Sequence, residues 1–204
     1  MPAFTLQAET IEEDISSVVH SVQVNGAVDV QLQANAQNNH FKVSYDGEKN
    51  SKVTVVHKNG VLSVQSNGVF HNKPLLELHL TSAPSEFSVE GVSDSDLHIE
   101  NSQSLSINLS GVSKAKLTGY GDTLTFKLSG TSSIDIVDFS AKEITGSLEG
   151  ISSVYAKESA LLKVEKEGIS NINSVEKIYP TLQLVRYQAM LKSGNNGWVT
   201  LPSF

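Results

Sequence analysis

The sequence predicts an all-β chain wound as a single-stranded, mostly parallel β-helix of about 18–20 residues per repeat. Three observations point there. Glycines recur in near-identical settings at Gly91 (GVSDSDL), Gly111 (GVSKAKL), Gly130 (GTSSIDI), Gly150 (GISSVYA) and Gly168 (GISNINS), at spacings of 20, 19, 20 and 18. The segments between them alternate apolar and polar residues, which is the period of a strand. Charged residues are only 18%, and Ser, Asn, Thr and Gly are plentiful, unlike a helical bundle. A fixed period of this length marks a solenoid, in which each unit buries its apolar face only against its neighbours.

Residues 1–17 read as an N-terminal extension. Their sequence, MPAFTLQAETIEEDISS, has neither a basic n-region nor an apolar h-region, so it is not read as a signal peptide. Two readings stay open on that basis: a cytoplasmic chain, or an exported one whose leader has been removed.

Residues 18–85 form an irregular β-rich first part. The expected strands are 17–24, 27–33, 40–46, 52–57, 61–66 and 75–81. Asn25-Gly26, Asp46-Gly47, Asn59-Gly60 and Asn67-Gly68 punctuate them as turns. These strands fit either antiparallel hairpins or early coils of the same solenoid. A continuous stack is favoured, because a solenoid end has to be covered against edge-to-edge association.

Residues 86–176 are the regular repeats. Two positions after each glycine stands a serine: Ser93, Ser113, Ser132, Ser152 and Ser170. Four after come Ser95, Ala115, Ile134, Val154 and Ile172; six after come Leu97, Leu117, Ile136, Ala156 and Ser174. These even positions read as inward. The inward serines are expected to hydrogen-bond to their copies in the rungs above and below. The odd positions read as solvent-facing and place Asp96, Lys116 and Asp135 in one outward column of alternating sign. A second strand precedes each glycine, with Val89, Leu109, Leu128 and Leu148 in one inward column, and Phe87, Ile107, Phe126, Gly146 and Val164 in another. Glycine suits the corner because it adopts positive φ at no steric cost. Residues 177–204 lose the period, hold Trp198 and read as a C-terminal cap. No low-complexity linker separates these parts, so 1–204 reads as one domain.

Charge and composition exclude several function classes. Net charge is −7, and Arg186 is the sole arginine among 15 basic residues, so no nucleic-acid partner is expected. With no cysteine, thiolate catalysis and Cys-ligated metals are ruled out. No apolar run reaches membrane-spanning length. No phosphate-cradling glycine loop and no GxSxG elbow occurs, and neither a cofactor nor a catalytic residue is expected.

Four residues stand out as binding candidates: Asp94, Asp96, Tyr120 and Tyr155. The SDSD run at 93–96 puts Asp94 and Asp96 on one face, with Glu90 and Glu100 nearby. Paired carboxylates bind Ca²⁺ or serve as acid and base in glycoside chemistry. The same columns in the next rungs hold Lys114 and Lys116, then Ser133 and Asp135, and this is the pattern of a solvated face. The two tyrosines offer rings on which a sugar stacks. The six histidines lack ligand spacing, and no metal site is expected. His79 and His98, 19 residues apart, would stack in neighbouring rungs.

VNGAVDVQLQ (24–33), HFKVSYDGEKNSKVTVVHKNGVLSVQSNG (40–68) and the Gly-x-Ser corners from 91 to 170 together resemble the bacterial autotransporter adhesin head, or GIN, domain family. The resemblance spans roughly residues 18–176; the tail from 178 departs from it. It implies a β-helical domain of exported bacterial cell-envelope proteins, often lipoproteins, and supplies no catalytic residues to carry over. The expected function is thus a non-enzymatic envelope protein for adhesion, carbohydrate binding or self-assembly. Its expected partners are a glycan or cell-surface component, or a second copy in a homo-oligomer. The alternatives are a polysaccharide-active enzyme using Asp94 and Asp96, and a purely structural spacer.

Overall fold

A computed structural model describes residues 7–157 and 162–175. The expected cap over 177–204, with Trp198 and Arg186, lies outside the described residues. Twelve strands form one open sheet: β1 (Gln7–Asp14), β2 (Ser21–Ala27), β3 (Asp29–Ala34), β4 (His40–Gly47), β5 (Lys52–Lys58), β6 (Val61–Asn67), β7 (Leu75–Leu80), β8 (Glu86–Leu128), β9 (Ser133–Leu148), β10 (Ser153–Lys157), β11 (Leu162–Lys166) and β12 (Asn171–Val175). No helix occurs among the described residues. Of the expected mostly parallel β-helix, the all-β character holds, while the pairing is mixed.

From Glu86 onward each pass of chain lies parallel to the one before it. Lys114 pairs with Ser133 and Leu128 with Leu148 across β8 and β9. Ser153 of β10 pairs with Ser133, and Asn171 of β12 with Ser153. The period-two pattern explains the burial. Leu109, Leu128 and Leu148 are all at most 1% exposed, as are Ile107 and Phe126. Each fully buried side chain of this size contributes about 1.5–3 kcal/mol. Gly146, which interrupts its inward column, pairs with Phe126, and a Cβ there would run into the Phe126 ring. The ring of one rung fills the space that the next rung leaves empty.

The corners are built as expected from the glycines but not from the serines. Gly130 has φ +73, Gly150 +75 and Gly168 +81. Each corner rests on the last: Thr131 N–H donates to the Gly111 carbonyl at 2.7 Å, Ile151 N–H to Gly130 at 2.8 Å and Ile169 N–H to Gly150 at 2.9 Å. Ser93, Ser113, Ser132 and Ser152 are buried, but no corner serine bonds to its copy in the next rung; Ser93 bonds to Ser95 at 3.1 Å, and Ser113 reaches the Gly91 carbonyl of the previous rung only at 3.3 Å. Ser113, Ser132 and Ser152 Oγ donate instead to the carbonyls of Ser110, Ser129 and Glu149, three residues back, at 2.8, 2.6 and 2.7 Å. The hydroxyl closes its own corner on a main-chain carbonyl of the same turn.

The first part is continuous with this stack, but out of chain order. β2 lies parallel between β6 and β8, with Val22 paired to Leu62 on one side and Phe87 on the other. β3 likewise lies between β7 and β8. The chain therefore lays down a middle layer first, then the layer beneath it, then the layer above. Antiparallel strands finish this end: β5 on β6, and β4 on β7 with β1 on β4. Residues 7–14, expected within an N-terminal extension, are thus the outermost strand.

Candidate functional site

Outward residues of β3, β8, β9 and β10 line a shallow groove of about 530 Å³. Asp94, Asp96, Lys114, Lys116, Asp135 and Tyr155 are on its walls. Parallel register places them: Gln31 pairs with Asp96, Lys116 with Asp135, and Asp135 with Tyr155. Successive residues of this column are about 4.8 Å apart. No ion pair among the described residues joins Asp96, Lys116 and Asp135, so the alternating column is open to a ligand. Asp135 also accepts the Val137 N–H at 3.0 Å, at a bulge where the register shifts.

Asp94 has a different setting from Asp96. Lys73, just before β7, reaches Asp29 at 2.5 Å and Asp94 at 2.6 Å. The Asp94 N–H also donates to Asp29 Oδ1 at 2.8 Å. The hydrogen bond from Lys73 holds the Asp94 carboxyl below its usual range against the opposing effect of burial, helped by the charges of Lys73 and Lys114. Burial alone would lower the Lys73 pKa, but its bonds and attraction to both carboxylates raise it. Asp94 is therefore a fixed anion. A general acid in glycoside chemistry needs the reverse, a carboxyl whose pKa is raised.

Tyr155 is 41% exposed in the groove, whereas Tyr120, 51% exposed, pairs with Ser140 and is not on its walls. Glu90 and Glu100 are also outside it; Glu100 bonds to His98 and Asn35. His79 and His98 do not stack in neighbouring rungs as expected, because Gln33 of β3 pairs with both and separates them. His98 instead bonds to Thr118 at 2.9 Å. No metal-binding cluster occurs among the described residues.

A family model described as "Putative auto-transporter adhesin, head GIN domain" matches residues 20–176. The chain belongs to this family. No curated protein matches it. The crystal structure of a "putative adhesin" from Bacteroides fragilis NCTC 9343 is similar at TM-score 0.59 and 13% identity, covering 83% of this chain and 97% of that one. Another "putative adhesin", from Parabacteroides merdae ATCC 43184, has 13% identity, the same coverage and TM-score 0.43. A "putative lipid binding protein" from Parabacteroides distasonis ATCC 8503 has 12% identity, the same coverage and TM-score 0.44. At such identities the first likeness speaks to the fold alone.

In this GIN domain, sequence reasoning brought Asp94, Asp96 and Tyr155 to one face and missed Lys73 and Asp29. The only available signal was the 21-residue step from Lys73 to Asp94, close to one repeat. Asp29 lies 65 residues from Asp94 and carries no periodic signal.

Proposed function

We propose that this GIN domain is a non-enzymatic bacterial cell-envelope protein that adheres to a surface glycan along the groove at Asp96, Lys116, Asp135 and Tyr155. The open charged column beside an exposed tyrosine supports this reading. Carboxylates accept and ammonium groups donate hydrogen bonds to sugar hydroxyls, while the ring offers an apolar face. An open groove suits a chain lying across several rungs better than an enclosed small molecule. The non-enzymatic reading draws on Asp94, held anionic by Lys73, and on the lysines that separate the remaining carboxylates. We also take the parallel rungs from 86 to 175 to wind as a β-helix, with residues 1–204 forming one domain; the corner-on-corner hydrogen bonds favour this. Membership of the adhesin family supports the envelope location. No helix among the described residues is long and apolar enough to cross a membrane.

A glycan array, followed by titration of the hits, tests the reading. Tyr155→Ala and Lys116→Ala should each weaken binding at least tenfold without changing the melting temperature. Release of reducing or unsaturated ends that disappears in Asp94→Asn/Asp96→Asn would replace the adhesion reading with an enzyme. Absence of both binding and turnover would leave a structural spacer.

A further inference from the structure

We propose that the end of the stack formed by β1 and β5 is a self-association surface whose partner is a second copy of this chain, joined end to end. Among the described residues both strands are termini of the sheet: β1 pairs only with β4, and β5 only with β6. Each leaves one row of backbone N–H and C=O groups without a strand partner, and such edges promote pairing unless they are blunted.

The two edges are opposite in charge. β1 carries Glu9, Glu12, Glu13 and Asp14 and no basic residue. β5 carries Lys52 and Lys58 and no acidic residue, and in the connection before it Lys49 is balanced by Glu48. Like edges of two copies repel, whereas β1 of one copy attracts β5 of the other. Glu12 and Asp14 already hold His40, and Glu9 bonds to Tyr45, so Glu13 is the carboxylate with no ion pair among the described residues.

The edges also end at different levels. Counting outward from β8, one branch runs β2, β6, β5, and the other runs β3, β7, β4, β1. One strand therefore projects on one branch, and no described strand takes the matching place on the other. A second copy related by a two-fold axis sets its β1 beside β5 of the first, and the same contact forms again in reverse, as an isologous interface requires. A concavity of about 430 Å³, lined by Glu9, Ile11, Tyr45, Lys49, Lys52 and Val53, opens at this end. Beside it, Val56 is 51% exposed, and the His57 Nε2 is shielded from solvent with no hydrogen-bond partner.

The groove is on other strands, so loss of glycan binding leaves the association untouched. The test is the mass of the full chain by sedimentation velocity, at low and at high ionic strength. A dimer at tens of micromolar is expected at low salt, dissociating as salt screens the edges. Lys52→Glu/Lys58→Glu should raise the dissociation constant at least tenfold. Adding Glu12→Lys/Glu13→Lys to the same chain should restore the dimer. Melting curves verify folding, and Lys52→Ala/Lys58→Ala, a milder change, should weaken the dimer if the reversal does not fold. A folded chain that stays monomeric at low salt, or a dimer indifferent to these substitutions, overturns the proposal.

Discussion

Replacing Gly130 with alanine tests the corner column most directly. Gly130 has φ +73, and a Cβ there would sit 2.6 Å from the Gly111 carbonyl oxygen and 3.1 Å from its nitrogen. Both neighbours are backbone atoms of the previous rung, so they cannot rotate away. Holding an L-residue in the left-handed region costs about 1–2 kcal/mol. Forcing the extra methyl against a packed rung adds about 1–3 kcal/mol. Stiffening of the unfolded chain offsets about 0.4–1 kcal/mol of this. The net loss is about 3 kcal/mol, which for a chain of this size lowers Tm by about 6–12 °C. Equilibrium denaturation with unchanged slope is the assay. Gly130→Asn separates the two causes, because asparagine tolerates positive φ but keeps the crowding; it should be the milder of the two. Thr131→Ala, on the exposed neighbour, should change stability by less than about 0.5 kcal/mol. A Gly130→Ala chain as stable as wild type would refute the stacked-corner reasoning.

Two further outcomes follow from burial and charge. Leu128→Asp places an unpaired carboxylate in a fully buried site and should unfold the regular rungs, while Lys116→Ser, in the open column, should leave far-UV circular dichroism and Tm unchanged. Because the folded pKa of Asp94 is below its ordinary 3.8, its contribution is present above that pH and is lost as pH falls through the folded value. Asp94 is 62% exposed, so the Lys73→Met chain should lose no more than about 1 kcal/mol at neutral pH and show a flatter acid limb in a stability-against-pH series.

The regular rungs were legible because each one pairs with the next in sequence. Leu109, Leu128 and Leu148 repeat at one rung's distance and meet in space at that distance. The order of β2, β3, β6 and β7 was not legible, since Val22 finds Leu62 and Phe87 across 40 and 65 residues, and no period reports such a step. Gly146 looked like a defect in its column because the Phe126 ring that fills its place belongs to the neighbouring rung. Ser93, Ser113, Ser132 and Ser152 were correctly turned inward, whereas Ser174 is exposed; the partner of Ser113, Ser132 and Ser152 is a main-chain carbonyl, which residue identity does not disclose. The groove was half legible for the same reasons: its walls come from periodic rungs, whereas Lys73 and Asp29 come from the part without a period.

The layer made of β2 and β3 has a consequence for how the chain is synthesised. Its residues leave the ribosome before either of their neighbours exists, and they gain both only after residue 98 has emerged. Until then this segment has at least one open flank, and its long-range pairings make this the slow stage of folding. Every later rung instead docks on a finished template as it appears. Folding is therefore seeded from the N-terminal half and extended rung by rung. A nascent chain from which residue 99 has emerged already has a complete seed, whereas one exposing nothing beyond residue 85 has β2 and β3 covered on one side only.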